Sequence, residues 1–135
     1  MPEYPNIENP DTPSPPAAGS LLPRGAEAFG VRVKLETYSL DPTNDAGAPK
    51  ARGFQMILGI TIEDIDYLEG AISTGILHVP VSEVRDNPPW GTKCVVDLSM
   101  RGRGEKSGRV ANVRTVWEIA GTDVPPRLVN AYCKP

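Results

Sequence analysis

The spacing of apolar residues changes along the chain and divides it into a helical part and a strand part. Two short helices are predicted, over Val31–Asp41 and over Lys50–Leu58, the second ended by Gly59. A third helix begins at Thr61, which with Asp64 resembles a capping box. Its core face is predicted from apolar residues three and four positions apart: Ile62, Ile65, Leu68, Ile72 and Ile76.

After His78 the apolar period becomes two, which is typical of β-strands. The segment HVPVSEV predicts an edge strand, since Pro80 removes one backbone donor. Longer strands are predicted over Gly91–Arg101, Arg109–Ile119 and Arg127–Cys133. Because short helices precede an antiparallel meander of three or four strands, the predicted fold class is α+β, with the helices packed on the sheet.

The alternation also predicts which side chains share a face of the sheet. Helices cover one face of such a fold and leave the other open. The open face is predicted to carry Lys93, Asp97, Asn112, Arg114 and Glu118, with Asn130 and Tyr132 beside them. In the last strand, strict alternation sets Val129, Ala131 and Cys133 against Leu128, Asn130 and Tyr132. Lys93 and Arg114 lie on neighbouring strands and are therefore expected to be close.

Proline divides the chain into two predicted regions. Residues 1–30 hold seven of the fifteen prolines and no apolar periodicity, so they are expected to form a disordered leader or linker. Residues 31–135 are expected to form a single α+β domain with one modest core.

The charges are unevenly distributed along this domain. Residues 31–90 carry nine acids and five bases, a net of −4, whereas residues 91–135 carry eight bases and four acids, a net of +4. Two interpretations stay open: the basic half meets a polyanion, or the two halves neutralise each other.

Several classes of chemistry lack their usual signature. His78 is the single histidine, which is too few for a pair of catalytic imidazoles or a multi-histidine zinc site. Cys94 and Cys133 have no metal-ligand spacing and are expected to be buried free thiols. The chain contains no nucleotide-binding motif and no apolar run long enough for a membrane span, so neither cofactor nor membrane insertion is expected.

The stretch GAPKARGFQMILGIT places Lys50 and Arg52 in the first turn of the second predicted helix. The positive end of a helix dipole disfavours cations there. An anionic ligand would explain the placement, and so would solvation or pairing with nearby acids.

The order of the motifs KLETYSLDP, PKARGFQMILGIT, WGTKCVV, VRTVWEI and PRLVNAYCKP resembles an uncharacterised family of small bacterial domains. The resemblance covers nearly all of the predicted domain. Members occur as stand-alone genes and as the C-terminal ends of phage proteins and polymorphic toxins. Their layout looks like the fold shared by barnase, colicin E5 and RelE-type ribonucleases.

The resemblance implies a metal-independent ribonuclease toxin that cleaves RNA, with tRNA as one possible target. Such cleavage uses the 2′-OH as nucleophile and needs proton transfer and cations that stabilise the phosphate. The expected catalytic residues are Lys50, Arg52, Lys93, Arg114 and Tyr132. The expected substrate-binding residues are Trp90, Arg127 and Asn130, and Arg127 could instead pair with Asp123.

The resemblance also implies a cytoplasmic site of action, delivery as part of a larger secreted toxin, and a cognate immunity protein or antitoxin. This sequence departs from the family pattern at Trp90 and Cys94, where relatives have tyrosines, and at Ala48–Pro49. If either tyrosine were catalytic in relatives, this chain would be altered or inactive. The alternatives are a non-catalytic protein-binding module, such as an immunity or regulatory partner, and a small structural domain.

Overall fold

A computed structural model describes residues 16–121 and 123–134. Helix α1 spans Val31–Lys34 and continues as a π-helical turn, Leu35–Ser39. Helix α2 spans Ala48–Gly53 and continues as a second π-helical turn, Phe54–Leu58. A 3-10 turn, Ile62–Asp64, leads into α3, Ile65–Gly75. The strands are β1 Glu83–Asp86, β2 Thr92–Arg101, β3 Val110–Ile119 and β4 Arg127–Lys134.

The four strands form one antiparallel sheet in the order β1-β2-β3-β4, and the helices pack on one of its faces. This arrangement confirms the predicted α+β class. The predicted edge strand is real but begins later, because pairing with β2 starts at Glu83 rather than at His78. Within the described ranges, no helix is both long and apolar enough to cross a membrane.

The core lies between the helices and the inner face of the sheet. Trp117 at its centre is fully buried, and its indole Nε1 donates to Thr115 Oγ1 at 2.8 Å. The Thr115 hydroxyl in turn donates to the Val96 carbonyl at 2.7 Å, so both buried polar groups are satisfied. Helix α3 contributes the predicted face with one exception, since Ile62 is 43% exposed in the 3-10 turn that precedes the helix.

Two helix boundaries lie where the local sequence predicts them, whereas the second helix begins at Ala48 rather than at Lys50, and the first ends at Ser39 rather than at Asp41. Thr61 Oγ1 accepts from the Glu63 N–H at 3.3 Å, and the Thr61 N–H donates to Asp64 Oδ2 at 3.0 Å, which confirms the capping box. Gly59 ends the second helix with φ 67°, in the left-handed region that glycine adopts without strain.

Strand β4 contains a β-bulge, which the alternation did not predict. Trp117 pairs with Leu128, whereas the preceding residue, Val116, pairs with Asn130, so Val129 has no partner on β3. The extra residue reverses which side chains face inward. Leu128 therefore joins the core, together with Ala131 and Cys133, and its predicted place beside Asn130 and Tyr132 is wrong.

The predicted boundary at residue 31 is too late. Leu22 is 4% exposed, Gly19 and Ser20 pair with Val81 through backbone hydrogen bonds, and Phe29 forms a bridge with Arg127. The segment from Gly19 to Gly30 therefore packs on the domain. The rest of the predicted leader, up to residue 15, lies outside the described residues.

Two glycine substitutions test the helix assignments. A Cβ at Gly59 would lie 2.5 Å from the Arg103 carbonyl oxygen, and its φ is positive, so Gly59→Ala should lower the free energy of unfolding by about 1–2 kcal/mol. Gly70 lies within α3 with no atom near its missing Cβ, so Gly70→Ala should raise it by about 0.5–1 kcal/mol. Urea denaturation of both variants measures the difference, and equal midpoints would contradict it.

Candidate functional site

The sheet face opposite the helices is polar and organised in cross-strand rows. One row joins Asp97, Arg114 and Tyr132, and another joins Lys93, Glu118 and Arg127. The predicted open-face residues do lie on this face, because their neighbours at odd positions of β3 are buried in the core.

This open face is basic although the whole chain has a net charge of −3. Its acids are Glu83, Asp97 and Glu118, and its bases are Arg85, Lys93, Arg101, Arg114, Arg127 and Lys134, which gives six bases against three acids and a net of +3. Each acid pairs with one arginine: Glu83 with Arg85, Asp97 with Arg114 and Glu118 with Arg127. The remaining cations have no salt bridge within the part of the chain that is described.

Arg114 and Asp97 form a two-pronged ion pair at the centre of the face. Arg114 Nε donates to Asp97 Oδ1 at 2.9 Å and Nη2 donates to Oδ2 at 3.0 Å. This hydrogen bonding, more than any other contact, lowers the pKa of Asp97 below its ordinary value and raises that of Arg114. The pair uses two of the five guanidinium N–H donors. A hydrogen bond with the Tyr132 side chain contributes less to the raised pKa of Arg114, and the remaining donors are left for another acceptor.

A chain of alternating lysines and tyrosines extends from Arg114 beyond the edge of the sheet. Tyr132 is the β4 partner of Arg114, and Lys50 Nζ lies 5.3 Å from the centroid of the Tyr132 ring. The same ammonium lies 5.4 Å from the ring of Tyr38, and Lys34 Nζ lies 5.3 Å from that ring. These distances are within the range of cation–π attraction, which fixes the ammonium groups without neutralising them.

The helices bring these side chains to the edge of β4 that faces away from β3. Helix α2 packs beside β4 and carries Lys50 toward Tyr132, while the π-helical turn after α1 carries Tyr38. Gly47, just before α2, approaches the Tyr38 carbonyl so closely that no side chain would fit between them. The two helices are thereby held at contact distance where Lys50 and Tyr38 meet.

Three of the predicted catalytic residues gather here, namely Lys50, Arg114 and Tyr132. Asn130 lies on β4 two positions from Tyr132, and its Oδ1 is buried without a hydrogen-bond partner in the described structure.

The other predicted residues do not join the cluster. Arg52 is exposed two residues after Lys50, and side chains at that helical spacing point to different sides. Lys93 is the cross-strand partner of Glu118, whereas Arg114 is the partner of Asp97. These two rows are four residues apart along the strands, which is about 13 Å. The expected closeness of Lys93 and Arg114 is therefore wrong.

Arg127 and Trp90 also lie away from the cluster. Arg127 pairs with Glu118 at 2.6 Å rather than with Asp123. Trp90 is 63% exposed in the loop between β1 and β2, beyond the row of Lys93.

Sequence reasoning missed Lys34, Tyr38 and Lys134. The i,i+4 spacing of Lys34 and Tyr38 within KLETY was a signal that they share one side of the first helix. No comparable signal existed for Lys134, which pairs with Asn112 in the row next to that of Arg114. The positive charge of Lys134 contributes to lowering the pKa of Asp97.

A family model described as a domain of unknown function, DUF6883, matches residues 22–135. No curated protein matches the chain. No solved structure matches it either.

The ion pair at the centre of the face makes stability depend on pH. Because folding lowers the pKa of Asp97 from its ordinary 3.8, the pair stabilises the fold above that pH, and its contribution is lost as pH falls through the lower folded value. Asp97→Asn should therefore cost about 1.5 kcal/mol of unfolding free energy at neutral pH, and this deficit should shrink in acid.

The measurement is urea denaturation of wild type and variant from neutral pH to strongly acidic pH. Asp86→Asn is the control, because Asp86 is exposed and has no salt bridge with any described residue. If Asp97→Asn lowered the unfolding free energy by the same amount at every pH, the proposed role of the Asp97–Arg114 ion pair would be contradicted.

Proposed function

The chain belongs to DUF6883, a family of domains of unknown function, and from the geometry of its site we propose that it is a metal-independent endoribonuclease acting on single-stranded RNA. The observation that carries the proposal is the contact of Lys50 with Tyr132 next to the guanidinium of Arg114, on an open and basic sheet face. These three residues supply two cations and a hydroxyl within one cluster.

The proposed reaction needs no group beyond the substrate, water and these side chains. The 2′ oxygen forms a bond to the adjacent phosphorus while the bond from phosphorus to the 5′ oxygen breaks, which leaves a 2′,3′-cyclic phosphate and a 5′-hydroxyl. The 2′-OH gives its proton to water. Tyr132 gives its phenolic proton to the leaving 5′ oxygen and regains one from solvent.

The cations stabilise the phosphate as its negative charge becomes crowded. Arg114 offers its remaining N–H donors, whose planar arrangement fits two phosphate oxygens. Lys50 adds a point charge held between two aromatic rings and free of any salt bridge among the described residues. Asp97 keeps Arg114 in place, and its lowered pKa makes it a poor proton acceptor.

One observation favours a second candidate, non-catalytic binding of a protein partner such as an immunity or regulatory protein. Trp90 is 63% exposed beside a surface cavity of about 340 Å³ lined by Asp86, Pro88, Pro89 and Gly91. Tryptophan is enriched among the residues that contribute most to binding at protein interfaces. This loop lies apart from the lysine–tyrosine cluster, so the two functions are separable by mutation.

We expect the purified protein to cut total RNA into discrete fragments in the presence of EDTA, with 2′,3′-cyclic phosphate ends. Arg114→Ala should lower the rate by about 100-fold or more, because it removes the main phosphate donor. Arg32→Ala is the matched control, since Arg32 pairs with Asp66 and Glu69 on the helical side. Gel electrophoresis and end analysis measure the outcome, and intact RNA would contradict the proposal.

Tyr132→Phe tests the proton donor separately from the cation. The variant keeps the ring that contacts Lys50 and removes only the hydroxyl, so RNA binding should persist while kcat falls by about 100-fold or more. Single-turnover kinetics distinguish this result from a change in affinity. An unchanged kcat would remove Tyr132 from the chemistry and leave the cationic site intact.

A further inference from the structure

Lys34 and Tyr38 extend the cationic cluster past the edge of the sheet, where the proposed cleavage reaction does not use them. Lys34 and Lys50 both hold their ammonium groups between 5.3 and 5.4 Å from the centroid of the Tyr38 ring. All seven salt bridges of the described residues use arginines, so neither lysine is neutralised there. Two cations without a salt bridge beside one ring concentrate positive charge at this point of the surface.

The backbone beneath this ring has an unusual conformation. Tyr38 lies in the π-helical turn Leu35–Ser39, and π-helical turns are rare and frequently occur at functional sites. The hydroxyl of the next residue, Ser39, is buried without a hydrogen-bond partner among the described atoms. This wider turn is the backbone that carries the Tyr38 ring beside Lys50.

The neighbouring loop fixes the same position from outside. Asn44 Nδ2 donates to the Thr37 carbonyl at 3.2 Å, and its Oδ1 accepts from the Gly47 N–H at 2.8 Å. Gly47 in turn packs on the Tyr38 backbone. The backbone that carries the Tyr38 ring is therefore held in place before any ligand arrives, which lowers the entropy cost of binding.

We propose that Lys34, Tyr38 and Lys50 form a phosphate subsite for the nucleotide next to the cleaved bond. The inference rests on the proposed ribonuclease function and specifies its substrate as a strand that continues past the edge of β4. Lys50 lies between the rings of Tyr38 and Tyr132 and so links the subsite to the reaction centre. A dinucleotide, with its single phosphate, can occupy only one of the two positions.

Binding of non-cleavable strands tests this subsite independently of catalysis. The probes are fluorescently labelled thymidine di- and hexadeoxynucleotides, which lack the 2′-OH nucleophile, and fluorescence anisotropy is measured over a range of salt concentrations. The wild type should bind the hexanucleotide several-fold more tightly than the dinucleotide. Lys34→Gln should remove most of this preference and make the slope of log K against log salt shallower by about 0.7, as expected for one lost phosphate contact.

Matched variants separate the subsite from net charge and from folding. Lys106→Gln makes the same charge change in the β2–β3 connection and should leave the length preference intact. Tyr38→Phe keeps the ring and should bind as wild type does, whereas Tyr38→Leu should lose the preference. Thermal melts followed by circular dichroism check that each variant is folded.

The outcomes distinguish the subsite from the nuclease. If the wild type cleaves RNA but Lys34→Gln keeps the full length preference, the subsite is overturned and the nuclease stands. If the wild type leaves RNA intact but its length preference depends on Lys34 and Tyr38, the subsite stands without catalysis. Equal affinity of the wild type for both probes overturns the subsite in either case.

Discussion

The β-bulge at Val129 is the constraint on which the polar face depends. Side chains alternate along a strand, so Arg127 and Tyr132, five positions apart, would point to opposite faces of a regular strand. The extra residue reverses the alternation once, and β4 then supplies Arg127, Asn130 and Tyr132 to the open face. The same reversal places Leu128, Ala131 and Cys133 in the core, so one local irregularity satisfies both surfaces.

Arginines and lysines have different roles around this face. Arg114 and Arg127 are bound to carboxylates on the neighbouring strand, and Arg85 is bound to Glu83 on its own strand. Among these three pairs, that of Arg114 with Asp97 has the two-pronged geometry that a planar guanidinium favours. The lysines near the edge of β4 contact tyrosine rings instead and have no salt bridge with any described residue. The acids therefore stabilise the frame of the site, and the excess positive charge lies where a ligand can reach it.

The helices and the residues that face the core were predictable because periodicity and capping are local properties. The capping box of Thr61 and the glycine end of the second helix depend on residues within a few positions. The grouping of Lys50, Arg114 and Tyr132 was also anticipated, since alternation put two of them on the open face. The expected closeness of Lys93 and Arg114 failed because strand register is set by the turns, and alternation gives the face without the row.

The sequence by itself determined the order of helices and strands, the α+β class and the excess of base in the second half of the chain. Only the tertiary structure decided the register, the bulge and the meeting of Lys34, Tyr38 and Lys50 at the edge of β4. The physical reason is the difference between local interactions along the chain and tertiary packing. Periodicity and caps are encoded by neighbours in the chain, whereas the bulge and the helix contact at Gly47 arise from packing between separate elements of the fold.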